Sequence, residues 1–219
     1  MLQPVDALLR CEGRHRIGGM DIPWGQLLVM IGAGGFVYGI VMGSYAGRPL
    51  QALYSGIKVP LFLGVSTMIC LPSFYVICAL LGLRSDFSAA FRGILAAQAT
   101  LTLCLASLAP ITEVIYLSID HYQLATLING LQFALATIGG QWTLARHYYP
   151  LIQANPRHRL AKSTWLVVYI FVAIQMAWVL RPFIGAPSLT PSFFREDALS
   201  NAYVVVTQTI LEVLGLPAR

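Results

Sequence analysis

The chain has 219 residues, 57% of them hydrophobic and 11% charged, with a net charge of +5. Its mean hydropathy is +0.70. A soluble domain carries about 25% charged residues in amphipathic arrangement, so this balance excludes a soluble globular class. The positive excess reads as membrane topology and not as a nucleic-acid footprint.

Five apolar blocks follow one another, at 23–44, 59–83, 93–117, 122–145 and 164–184. A hydrocarbon core of roughly 30 Å takes about 20 helical residues to cross, and the backbone within it must satisfy its own hydrogen bonds. The sequence therefore predicts an all-α, polytopic integral membrane bundle with about five transmembrane helices. It divides into an N-terminal flank (1–22), a membrane domain (23–184) and a C-terminal flank (185–219). The first block is longer than a secretory h-region of about 7 to 15 residues, so an uncleaved first span is expected.

Gly35, Gly39, Gly43 and Gly47 recur every fourth residue in and after the first block. On a helix they share one face, and small residues at that spacing let another helix approach closely in lipid. The partner is either another span of this chain or a second copy. The segment from Arg48 to Lys58 places Leu50, Leu53, Tyr54 and Ile57 on one face, which predicts a short interfacial helix before the second span. Pro60 falls in the first turn of that span, and Pro72 is expected to kink its middle.

The third block carries a polar seam that includes Gln98 and Thr102, and the fourth a matching seam with Asn129 and Gln132. Paired seams on consecutive helices predict a hydrogen-bonded interface, or alternatively a polar conduit between them. Lys58, Glu113 and Arg181 all fall near the outer ends of their spans and form a candidate ion-pair cluster. Trp165 and Trp178 are placed as interfacial anchors of the fifth span. The stretch 197–214 has an apolar face but too short an uncharged part to cross. It is expected to lie in the interface, with a short sixth span as the alternative.

Basic residues set the orientation. Arg10, Arg14, Arg16, Arg84, Arg92, Arg146, Arg157, Arg159 and Lys162 fall on one side, and Arg48, Lys58, Arg181, Arg195 and Arg219 on the other. This asymmetry places the N-terminus in the cytoplasm and the C-terminus outside.

Catalytic chemistry finds no motif here. The run from Gly64 to Thr67 lacks the closing glycine of a Gly-x-Ser-Gly nucleophile site, and none of the four histidines falls within an apolar block. No block holds the aspartate pair of aspartyl-type intramembrane catalysis, and there is no His-Glu-x-x-His pattern. Cys11, Cys70, Cys78 and Cys104 have neither Cys-x-x-Cys nor ligand-like spacing with histidine, so no cofactor or metal is expected.

The five-span layout with small, Gly-rich helices resembles bacterial Yip1-like multi-pass proteins. The stretches Lys58 to Leu61 and Ile69 to Tyr75 are similar to segments of uncharacterised bacterial membrane proteins. The resemblance implies a non-catalytic role in membrane organisation or complex assembly and carries no functional residue with it. The expected partners are membrane lipids and either other membrane subunits or a second copy. A small transporter or channel is the competing expectation.

Overall fold

A computed structural model of the chain describes residues 24–118, 121–186 and 189–194, together with Leu8. Five long helices account for most of them: α1 (Trp24–Gly43), α2 (Pro49–Leu80), α3 (Phe87–Ser118), α4 (Tyr122–Ala154) and α5 (Arg157–Val179). Short 3-10 turns at Tyr45–Gly47 and Arg84–Asp86 join α1 to α2 and α2 to α3, and the described residues contain no strand. The expected helical membrane architecture is present.

The helices run longer than the apolar blocks that announced them. α2 and α3 each have 32 residues and α4 has 33. At 1.5 Å per residue, α2 measures roughly 48 Å, well beyond a hydrocarbon core. Hydropathy marks the part of a helix that meets lipid, whereas the backbone goes on helically into the polar zones. The Arg48–Lys58 segment is accordingly not a separate interfacial helix; it forms the first turns of α2, with Pro49 at the helix start. α2 continues through Pro60 and Pro72 as one helix. The fifth helix stops five residues before its expected end. Pro182 cannot donate to the ladder, and it disfavours helical backbone at Arg181 before it.

α1, α2, α5 and the stretch Arg84–Ser118 that contains α3 are long and apolar enough to cross a membrane. α4 is long enough but less apolar, and its polarity faces inward. Asn129, Gln132, Gly140 and Thr143 are buried, while Leu127, Leu131, Leu135, Ile138 and Trp142 are exposed. An apolar outer face over a polar inner one is the pattern that suits a lipid solvent.

α1 packs along both α2 and α3, α4 packs along α3, and α5 packs along α2. α2 and α3 touch each other little, and the α4–α5 contact is also slight. The glycine face explains the first of these contacts. A Cβ on Gly39 would stand 2.8 Å from Gly56 Cα, and one on Gly43 would stand 2.7 Å from Ala52 Cα. Gly35 is looser, 3.3 Å from the Pro60 nitrogen. All three meet α2 of the same chain, so internal packing uses this face. Gly34 turns the other way, where a Cβ would come 3.0 Å from the Thr102 carbonyl on α3. Gly47 does not belong to the face. It lies beyond α1 in the 3-10 turn at φ +67, where a glycine is required because side chains disfavour that backbone.

The expected C-terminal interfacial helix at 197–214 and the flank 1–22, apart from Leu8, lie outside the described residues.

These contacts distinguish neighbouring glycines. Gly39→Leu is expected to abolish the folded bundle or lower its stability by more than about 3 kcal/mol, since backbone atoms would have to move apart. Gly32→Ala, with nothing within 4 Å of its Cβ, should leave the thermal midpoint in detergent essentially unchanged. Equal effects of the two changes would refute the packing account.

Candidate functional site

Three groups of polar side chains are buried at different heights of the bundle. The first is a clamp at the α2 N-terminal end. Arg48, Gln51, Ser55 and Lys58 follow at helical spacing, and all four donate to carbonyl oxygens of the segment after α5. Arg48 Nη1 reaches Ala186 O at 2.7 Å, while Nη2 bonds Leu189 O. Gln51 Nε2 lies 2.9 Å from Phe183 O and 3.2 Å from Pro182 O, and the Ser55 hydroxyl also bonds Phe183 O. Lys58 is fully buried, with Nζ 2.6 Å from Pro182 O, 3.4 Å from Ser192 O and 5.0 Å from the centre of the Phe193 ring. An ammonium removed from water needs such acceptors, and an irregular segment supplies carbonyls with no helical partner. Gly185 completes the fit at φ +78, where a Cβ would press to 2.9 Å from Gln51 Cδ.

This arrangement replaces the expected cluster of Lys58, Glu113 and Arg181. Lys58 is held by backbone oxygens, the exposed Glu113 accepts a bond from Ser44 Oγ at 3.0 Å, and the Arg181 guanidinium lies 3.3 Å from the centre of the Trp178 ring. No ion pair joins the three among the described residues. Helical spacing had placed them at one depth, but residues at one depth can still lie on different sides of a bundle.

The second group lies between α1, α3 and α4. Tyr38 Oη stands 2.8 Å from both Asn129 Oδ1 and Gln132 Oε1, and its single proton serves one of them at a time. Thr112 Oγ1 donates to Gln132 Oε1 at 2.8 Å. Asn129 Nδ2 donates to Tyr116 Oη at 2.6 Å and to Ala125 O at 2.8 Å, and Tyr116 Oη donates to Met42 O at 3.1 Å. The network fastens three helices.

The third group is formed by Gln98, which bonds neither Asn129 nor Gln132. Its Nε2 donates to Thr67 Oγ1 on α2 and lies 3.4 Å from Tyr169 Oη on α5. Thr102 serves the α1–α3 contact, with Oγ1 3.0 Å from Ala99 O and 3.3 Å from Met30 O. The single seam expected across α3 and α4 is therefore two networks at different heights of α3, Gln98 meeting α2 and α5 while Thr112 and Tyr116 meet α4. Gln98 and Tyr116 lie five full turns apart on one face of α3, about 27 Å along its axis, and different helices stand beside it at those two heights.

At the opposite end, buried His158 Nε2 pairs with Asp86 Oδ2 at 3.0 Å, and Arg157 Nη1 donates to Leu81 O at 3.2 Å. These bonds tie the start of α5 to the α2–α3 turn. Trp165 is 3% exposed and packs on Phe74 at 5.0 Å between ring centres, so it is a core residue and not an interfacial anchor. No group of three or more His, Cys, Asp or Glu able to hold a metal stands among the described residues.

Sequence reasoning missed Tyr38, Tyr116, Thr67 and Tyr169, whose hydroxyls look like ordinary aromatic or β-branched content of a span. It also missed the clamp, although its signal was present: the polar positions of 48–58 form a stripe opposite the apolar ones that were read.

Two substitutions separate these networks from the expected ion-pair cluster. Glu113→Gln should shift stability by no more than about 0.5 kcal/mol, as expected for an exposed side chain. Tyr38→Phe should cost on the order of 1 kcal/mol by removing a buried donor shared by two amides. Thermal unfolding in lipid nanodiscs measures both; a larger loss for Glu113→Gln would restore the cluster. Lys58→Met should free the segment after α5, read as faster labelling of a cysteine placed at Ala186. Unchanged labelling would remove the clamp. Comparison with protein-family models, with curated proteins and with solved structures finds no match to this chain.

Proposed function

We propose that the chain is a non-catalytic integral membrane subunit that anchors or assembles a membrane complex, in a bacterial inner membrane with its N-terminus in the cytoplasm. One observation carries the reading: the polar seam residues of α3 and α4 bond to side chains and carbonyls of the bundle itself. Asn129, Gln132, Thr112, Tyr38 and Tyr116 bond to one another, and Gln98 bonds Thr67 instead. A transport path between the two helices needs a run of groups free to exchange partners with a solute, and this arrangement offers bonded ones. The resemblance to Yip1-like proteins supports the same class of role, and the distribution of basic residues supports the orientation.

After gentle solubilisation, native mass spectrometry should find the 23.9 kDa chain in a stoichiometric assembly with another membrane protein or a second copy. A reporter fused to the N-terminus should respond as cytoplasmic. A lone chain that conducts a solute in vesicles, and loses that flux but not its fold in Asn129→Leu, would overturn the proposal in favour of transport.

A further inference from the structure

A cavity of about 390 Å³ lies between α2, α3, α4 and α5. It exists because α2 barely touches α3 and α4 barely touches α5, which leaves space that side chains of the four helices line but do not fill. Its volume falls within the range of small-molecule sites, roughly 300 to 1,000 Å³. Apolar side chains form most of the wall, with the rings of Phe62, Phe133, Trp165 and Tyr169 among them.

The polar side chains in this wall are Gln98, Thr137 and Gln141, with the Tyr169 hydroxyl; Thr137 Oγ1 is taken by Phe133 O of its own helix, and Gln98 is the buried amide among them. Gln98 lines the cavity and is 7% exposed, and it lies near the middle of α3, just as Thr67 and Tyr169 lie near the middles of α2 and α5. An amide nitrogen carries two protons. Thr67 Oγ1 takes one, and the other has Tyr169 Oη at 3.4 Å, the far limit of a hydrogen bond. A better acceptor entering the cavity would capture that proton.

We infer that this cavity binds a lipid-soluble planar ring bearing carbonyl oxygens, of the quinone class, with a ring carbonyl on Gln98 Nε2 and its face against the aromatic wall. The depth of the amide argues against a phospholipid headgroup, which stays at the interface, and no Asp, Glu, Lys or Arg lines the cavity to receive a charge. A plain acyl chain would fill the apolar volume but leave the amide without use. α4 and α5 contact each other only slightly, so the ring would enter from the lipid between them. This inference stands on the cavity and goes beyond the assembly role, which would survive its failure.

The test uses the full chain in phosphatidylcholine nanodiscs, titrated with a decyl-substituted benzoquinone or with decanol as the tail-only control. The quinone should raise the thermal midpoint saturably, and native mass spectrometry should find one ring per chain. Gln98→Leu should weaken quinone binding about tenfold, the loss expected for one hydrogen bond. Ala173→Phe, which fills the cavity from α5, should abolish it. Should Ala173→Phe fail to fold, Thr137→Leu from the α4 wall is the second blocking variant. A non-saturable response, equal responses to quinone and decanol, or full binding by both Gln98→Leu and a folded blocking variant would overturn the inference.

Discussion

The close approach of α1 to α2 is the constraint on which the rest of the bundle depends. Gly39 and Gly43 bring one helix backbone onto another, and Gly34, one residue from Gly35, turns a second bare face to α3. α1 thereby holds α2 and α3 side by side while the two scarcely touch. In lipid there is no hydrophobic drive to bring helices together, so dispersion contacts at short range have to supply the attraction. A side chain on this seam would remove those contacts and push apart every helix that relies on them.

One consequence follows from that spacing. Since α1 occupies one side of the α2–α3 gap, α4 and α5 close the other only in part, and a cavity is left where four helices face one another. Tyr38, one turn after Gly34, reaches α4, where its hydroxyl meets Asn129 and Gln132. Each hydrogen bond of this kind averages only about 0.6 kcal/mol in a membrane. The network thus orients α4 more than it stabilises it.

The clamp at the α2 N-terminal end solves a separate problem. A non-helical segment near the membrane has unpaired carbonyls, and a buried lysine has unpaired protons. Bringing Lys58, Gln51, Ser55 and Arg48 onto the carbonyls of Pro182, Phe183, Ala186 and Leu189 satisfies both at once. Exposed Leu50, Leu53 and Ile57 remain on the outer face of the same turns. One stretch of α2 therefore does two jobs, and its apolar face was the half that could be read without coordinates.

By itself the sequence determined the class of the molecule and the positions of its helices, because lipid admits helical backbone and hydropathy reports which residues meet lipid. It also determined that 35, 39 and 43 form one bare face, since helical period places residues four apart together. What it could not contain is which helix stands beside which. Hydrogen-bond partners such as Gln98 with Thr67, or Lys58 with Pro182 O, are separated by 31 and 124 residues. Helical period fixes the height and direction of a side chain on its own helix, but the rotation of each helix about its neighbours comes from packing alone. Tertiary structure therefore decided that Gln98 and Asn129 serve different networks, that Glu113 meets neither base, and that four helices leave a cavity between them.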